Sequence, residues 1–178
     1  MPKIFLGIGS NIERHKHICC ALDMLSEALG ELSISSVYES EAVGFSGAPF
    51  FNLAVGADSG MPLGKLIQLI KNVEDCNGRN RSGPKFSSRT LDIDVLTYGD
   101  CTGIHEGIML PRGETIEYAH VLLPLSEISS SLELPGTGKS CAAWWREYDK
   151  TRQQLRVVDF IWREQRISTA QSGLPLID

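Results

Sequence analysis

Arg89-Thr90-Leu91-Asp92-Ile93-Asp94-Val95 alternates polar and apolar side chains from Thr90 onward, the pattern of a strand with one buried face. Leu91, Ile93 and Val95 would face a core, while Asp92 and Asp94 project side by side from the opposite face. This reading decides the fold, because the strand closes a series of elements running back to the start of the chain. The segment 3–8 is a short apolar run ending in the turn Gly9-Ser10-Asn11. Ile18, Leu22, Leu25 and Leu29 recur at helical spacing before Gly30, which predicts a helix over 14–29. Leu32, Ile34 and Val37-Tyr38 form a β-like stretch with imperfect alternation, 39–49 is a Gly-, Ser- and Ala-rich loop, and 51–57 is again a strand. Pro62 opens a second helix, with Leu63, Leu66, Ile67, Ile70 and Val73 on one face and Asn77-Gly78 as its stop. Strand, helix, strand, strand, helix, strand is the split β-α-β-β-α-β order. The expected fold class is therefore α/β of the α+β kind, a ferredoxin-like sandwich with C-terminal additions.

Beyond this unit, 119–128 reads as a short helical piece interrupted near Pro124, 140–152 as a helix carrying Trp144, Trp145 and Tyr148, and 155–162 as an edge strand. Periodicity fades after Arg163, so one domain is expected over 1–162 with 163–178 a flexible tail. The 178 residues, 42% hydrophobic, suffice for one well-buried core. Net charge −5 and a pI near 5.4 disfavour nucleic acid and anionic membrane as partners. With neither a long apolar run nor a charged-then-apolar leader, a cytoplasmic location is expected. Five cysteines without a Cys-x-x-Cys pair fit reduced thiols. His15, His17 and His105 sit in polar contexts and read as solvated, and the tryptophans as packing residues.

The loop before the Asp-x-Asp strand carries Arg79, Arg81 and Lys85 and no acidic residue. A positive patch on an acidic chain suits a small phosphorylated ligand. Two carboxylates on one strand face suit Mg²⁺, which takes oxygen ligands and is typically shared with substrate phosphates. A solvated strand face beside a solvated loop is the plain alternative. Elsewhere, Pro135-Gly136-Thr137-Gly138-Lys139-Ser140 imitates the end of a phosphate-binding P-loop, but Glu133 occupies the position of its first glycine. Too few residues follow to build a parallel sheet, so this stretch reads as a Gly-rich turn capping a helix at Ser140. Gly7-Ile8-Gly9-Ser10-Asn11 lacks the third glycine of a dinucleotide fingerprint, because Ile12 stands there.

Taken together, Gly9-Ser10-Asn11, Tyr38-Glu39-Ser40 running on to Phe50-Phe51-Asn52, Glu74 with Gly78-Arg79-Asn80-Arg81, and Arg89 to Asp94 resemble the 6-hydroxymethyl-7,8-dihydropterin pyrophosphokinase family of folate synthesis. The resemblance runs over about 3–135. It implies transfer of a pyrophosphoryl group from ATP to the 6-hydroxymethyl oxygen of a reduced pterin, with attack at the β-phosphorus and release of AMP. Asp92 and Asp94 would hold two Mg²⁺ ions, Arg79 and Arg89 would meet the transferring phosphates, and Lys85 would add charge from a closing loop. Lys71, Glu74, Arg81, Arg112 and Tyr118 fall at nucleotide-binding positions. Ser40, Val43, Phe50, Asn52 and His120 fall at pterin positions, with Asn52 pairing to the ring edge through both donor and acceptor and Phe50 stacking in preference to Phe51. The expected partners are small molecules, reduced pterin and ATP, and the expected state is a monomer or weak oligomer.

The chain departs from the family pattern in Pro111-Arg112-Gly113-Glu114-Thr115-Ile116-Glu117-Tyr118-Ala119-His120. Arg112 replaces a histidine and Tyr118 an arginine, both at ATP positions, and His120 replaces a stacking phenylalanine. Phe86-Ser87-Ser88 replaces the usual Trp-Gly-Pro. His120 can still stack, yet as imidazolium it would place a cation against the pterin. Three outcomes are compatible with these changes: a working pyrophosphokinase with rearranged ATP contacts, a kinase for a related pterin or nucleotide, or a pterin-binding paralog without catalysis. A P-loop nucleotide binder is the more distant reading.

Overall fold

The computed structural model of the chain describes residues 1–170. In order, it forms β1 (Lys3–Ser10), α1 (Arg14–Leu29), β2 (Ser33–Ile34), β3 (Val37–Ser40), β4 (Phe50–Asp58), α2 (Leu63–Cys76), β5 (Asp92–Tyr98), β6 (Gly103–His105) and β7 (Ile108–Leu110). Next come α3 (Glu114–Glu117), α4 (Ala119–Ile128), α5 (Cys141–Glu147), β8 (Arg156–Val158), β9 (Phe160–Trp162) and β10 (Gln165–Ser168). The main sheet runs β5-β1-β4-β3-β8 with antiparallel pairings throughout, and β2 pairs with β4. The first four of those strands carry the interleaved order expected of a split β-α-β-β-α-β unit, and the ferredoxin-like expectation holds.

Alternation sends each strand's side chains to two layers. Ile4, Leu6 and Ile8 of β1, Leu53, Val55 and Ala57 of β4, and Ile93 and Val95 of β5 pack with Ile18, Leu22 and Leu25 of α1 and Leu66, Ile70 and Val73 of α2. On the other face Phe5, Ala54 and Leu96 meet Leu125 of α4 together with Leu134 and Cys141. α1 has the predicted bounds, and Gly30 ends it at φ 85°, with its N–H bonded to Ser26 O at 2.9 Å.

Several expectations are corrected. The imperfect β-like stretch is two strands joined by buried Ser35, whose Oγ accepts from Ala54 N at 2.8 Å and carries the pairing across the break. α4 continues through Pro124, because its Ala119, Leu122 and Leu125 side chains are buried and the proline removes a single backbone donor. α5 stops at Glu147, since Tyr148 turns extended and Asp149 Oδ1 accepts from Thr151 N at 3.0 Å to start a turn. The 155–162 stretch is split at Asp159: β8 extends the main sheet beside β3, and β9 pairs with β10. The tail expected from Arg163 is therefore a hairpin as far as Ser168, whose Oγ bonds Val37 N at 2.9 Å; residues 171–178 lie outside the described part. The β6–β7 hairpin, turning at Glu106-Gly107 with φ of 50° and 80°, carries no Asn-Gly or Asp-Gly signal and went unread.

His17 is buried rather than solvated, and its Nδ1 meets Asn77 Oδ1 at 2.9 Å, tying α1 to the end of α2. All five cysteines are free thiols. The P-loop look-alike is a turn with Gly136 and Gly138 at positive φ, bridged between Glu133 and Ser140. Ser140 Oγ accepts from Ala143 N, and Lys139 Nζ lies 2.5 Å from Glu147 and over the Trp144 ring.

Candidate active site

The α4 face of the sheet opens, toward one end, into a cavity of about 320 Å³. Its floor follows from strand register. Gly9 of β1 stands opposite Asn52 of β4 on one side and Asp92 of β5 on the other, and Gly7 is likewise flanked by Ala54 and Asp94. Neighbouring strands are about 4.8 Å apart, so Asn52 and Asp92 sit about 10 Å apart across a strand that offers no side chain. A Cβ on Gly9 would lie 3.6 Å from Asn52 Oδ1 and 3.7 Å from the Phe50 ring. The glycines of the discarded dinucleotide fingerprint thus form the floor between two functional rows.

Asp92 and Asp94 share a face, as alternation required, and cations close around them. Arg89 lies 2.9 Å from Asp92 Oδ2, Arg79 lies 3.3 Å from Asp92 Oδ1, and Arg112 lies 3.4 Å from Asp94 Oδ1. Burial, followed by the negative charge of Asp92, pushes the Asp94 carboxyl up to about 7, with Arg112 opposing the rise. Arg112 also reaches Glu114, its Nε 3.4 Å from Glu114 Oε2. Two loops are latched at the rim by Asn11: its Nδ2 donates to Ala48 O and Ser88 Oγ at 3.1 Å each, and its Oδ1 accepts from Arg89 N at 2.7 Å.

The other end of the cavity is amide-lined and aromatic. Asn52 Nδ2 donates to Tyr38 O at 3.2 Å and Ser40 Oγ at 2.8 Å. Because a carbonyl only accepts, Tyr38 O fixes the amide orientation, with Nδ2 held by the chain and Oδ1 turned toward the Gly9 floor. Phe50 lines the cavity, set edge-on to Phe45 at 6.3 Å, whereas Phe51 turns to the α1 face under the Arg14 guanidinium at 3.7 Å. Burial keeps His120 below its usual titration range and Tyr118 above its own, so both rings are neutral near pH 7. The imidazolium expected as a hazard is therefore disfavoured.

The cavity gathers Ser40, Val43, Phe50, Asn52, Lys85, Arg89, Asp92, Asp94, Arg112, Tyr118 and His120. Four sequence-predicted residues do not line it. Arg79 stands behind Asp92, donating to Leu91 O at 3.0 Å. Glu74 is buried, its carboxyl raised by burial, and accepts from Ile93 N at 3.2 Å. Arg81 pairs with Glu74 and Asp75, and Lys71 is exposed on α2. Sequence reading missed Phe45, Glu117 and Gln153. Gln153 bonds His120 from a segment with no motif and is visible only through the fold.

A ferredoxin-like sandwich with paired carboxylates, arginines and an aromatic amide pocket on one sheet face is an enzyme scaffold suited to a flat ring ligand and a polyphosphate together. Residues 5–130 match the family model of 7,8-dihydro-6-hydroxymethylpterin-pyrophosphokinase (HPPK), and the chain belongs to that family. It is 30% identical over 137 residues to the 2-amino-4-hydroxy-6-hydroxymethyldihydropteridine pyrophosphokinase of Bacillus subtilis, covering 75% of this chain and 81% of that one. The Methylorubrum extorquens enzyme of the same name is 31% identical over 140 residues, covering 76% and 88%. The crystal structure of wild-type Plasmodium falciparum HPPK-DHPS superimposes with a TM-score of 0.65 at 13% identity, over 94% of this chain and 50% of that one. That likeness concerns the fold, and the chain spans half of that longer protein.

Proposed function

We infer that the protein transfers pyrophosphate from ATP to 6-hydroxymethyl-7,8-dihydropterin and releases AMP, a reading supported by the pterin pyrophosphokinase names of its relatives. The observation that carries this reading is the row Asp92, Gly9, Asn52, which sets an anion-handling cluster beside a ring pocket in one cavity of a chain of this family. Asn52 Oδ1 accepts from the ring's N–H edge, Phe50 holds one of its faces, and His120 closes the wall of the pocket beside it. Arg89 and Arg112 meet phosphate oxygens with planar, permanently charged forks. Lys85, exposed on the loop latched through Asn11, adds charge as the loop closes and excludes water.

Magnesium fits Asp92 and Asp94. The pair offers hard oxygens from two carboxylates on one strand face, flanking positions two residues apart on β1. No cluster of three or more candidate ligands exists among the described residues, which leaves coordination places to water and phosphate. When bound there, the ion supplies charge neutralisation of the triphosphate. The remaining demand on the chain is in-line positioning of the hydroxymethyl oxygen against the β-phosphorus. Among the described residues no helix is long and apolar enough to cross a membrane, and we take the enzyme to act on small molecules in the cytoplasm as a monomer or weak oligomer.

The test is AMP release by purified protein given MgATP and 6-hydroxymethyl-7,8-dihydropterin, with Asp94→Ala as control. AMP from the wild type and none from the variant is the expected result. Pterin binding without AMP would reduce the protein to a binding module.

A further inference from the structure

Gln153 lies between α5 and β8, beyond the residues that match the family model, and its side-chain amide meets His120 at two points. His120 N donates to Gln153 Oε1 at 3.2 Å, and Gln153 Nε2 stands 2.8 Å from His120 Nδ1. A backbone N–H only donates, so the amide oxygen faces it and the NH₂ faces the ring. An amide NH₂ also only donates, so Nδ1 accepts and carries no proton. Burial disfavours the imidazolium, with Asp92 the charged group acting against that trend, and the single proton of the neutral ring is therefore on Nε2.

Nε2 has no hydrogen-bond partner among the described residues, and it is not among the unpartnered side-chain atoms sealed from solvent. The ring lines the cavity, and Tyr118 stacks on it with centroids 5.2 Å apart and planes 21° from parallel. A phenylalanine at this position would offer the same stacking but no donor.

We propose that Gln153 is a positioning residue that fixes His120 as the Nε2–H tautomer, giving the cavity wall a donor for an acceptor atom of a flat heteroaromatic ligand. The identity of that ligand as a pterin rests on the function inferred above. The lock itself rests on the two contacts alone.

The test combines NMR of protein with ¹⁵N-labelled histidine and titration with 6-hydroxymethyl-7,8-dihydropterin, using His120→Phe to assign the signals. Wild type shows His120 protonated at Nε2. Gln153→Leu gives a mixture of tautomers, and Gln153→Glu, which presents an acceptor carboxylate, puts a proton on Nδ1 and favours the imidazolium. Loss of one neutral hydrogen bond weakens pterin binding by about 3- to 10-fold in Gln153→Leu, with the KM for MgATP unchanged. Wild-type His120 found as Nδ1–H or imidazolium, tautomers identical in all three proteins, or an unaltered pterin Kd would each overturn the proposal. The wild-type spectrum alone decides the lock if either variant fails to fold. A fixed Nε2–H tautomer in a protein that binds no pterin would uphold the lock and remove the functional reading.

Discussion

Asp94 is the residue with the sharpest pH consequence. Its carboxyl titrates at about 7 in the folded protein against an ordinary value of 3.8, so folding favours the neutral form. The stability this contributes is complete below the unfolded value and is lost as pH rises through about 7. Asp94→Asn keeps the shape and removes the titration, so without metal the variant should match the wild type near pH 4 and exceed it near pH 8. About a third of the side chain is exposed (34%), and after solvent screening the gain is about 1 kcal/mol, or about 2–4 °C in Tm. Magnesium should reverse the order at pH 8, raising the wild-type Tm and leaving the variant's where it was. Thermal melts at the two pH values, with chelator and then with MgCl₂, check both statements. At the far end of the same row, Asn52→Asp replaces the NH₂ that holds Tyr38 O and Ser40 with an oxygen that repels the carbonyl. The KM for pterin should rise about 10-fold or more while that for ATP holds, as steady-state kinetics would read.

At the scale of elements, α5 separates a look-alike from a function. Ser140→Ala removes the cap on Ala143 N and should cost about 1 kcal/mol, with turnover unchanged. Lys139→Ala should leave the KM for ATP as it was, because Lys139 is engaged with Glu147 and Trp144; a loss of ATP binding would revive the P-loop reading. The same elements show what could be read beforehand. α1 was legible to the residue because its apolar stripe and terminal glycine are local signals, and the shared face of Asp92 and Asp94 followed from alternation alone. Asn52 and Phe50 were legible only through family resemblance. The β6–β7 hairpin and the β8, β9 and β10 strands were not separable in advance, being three or four residues each and too short for a period to declare itself. Gln153 was invisible for a different reason: its role comes from a contact 33 residues away in sequence, which the fold creates.

Across the whole molecule, the segment after α5 serves both faces of the sheet. Gln153 reaches the cavity face, while Phe160 is 2% exposed within the opposite core, edge-on to Phe51 at 6.3 Å and against His15 at 4.6 Å. Both residues lie beyond the family-matched stretch, so the segment after α5 adds support to the fold and tuning to the site. The two roles separate by experiment. Phe160→Ala opens a cavity in a packed interior and should cost about 3–5 kcal/mol, lowering Tm by about 10 °C, because aromatic truncations lose both transfer energy and contacts. Since the sheet stands between Phe160 and the substrates, kcat and both KM values at 20 °C or below should stay near wild type. Gln153→Leu should do the reverse, with Tm nearly unchanged and pterin affinity reduced. Denaturation curves and kinetics on the two variants would show whether stability and recognition divide along the two faces of the sheet; a loss of pterin affinity in Phe160→Ala comparable to that in Gln153→Leu would mean that the sheet transmits core strain to the site.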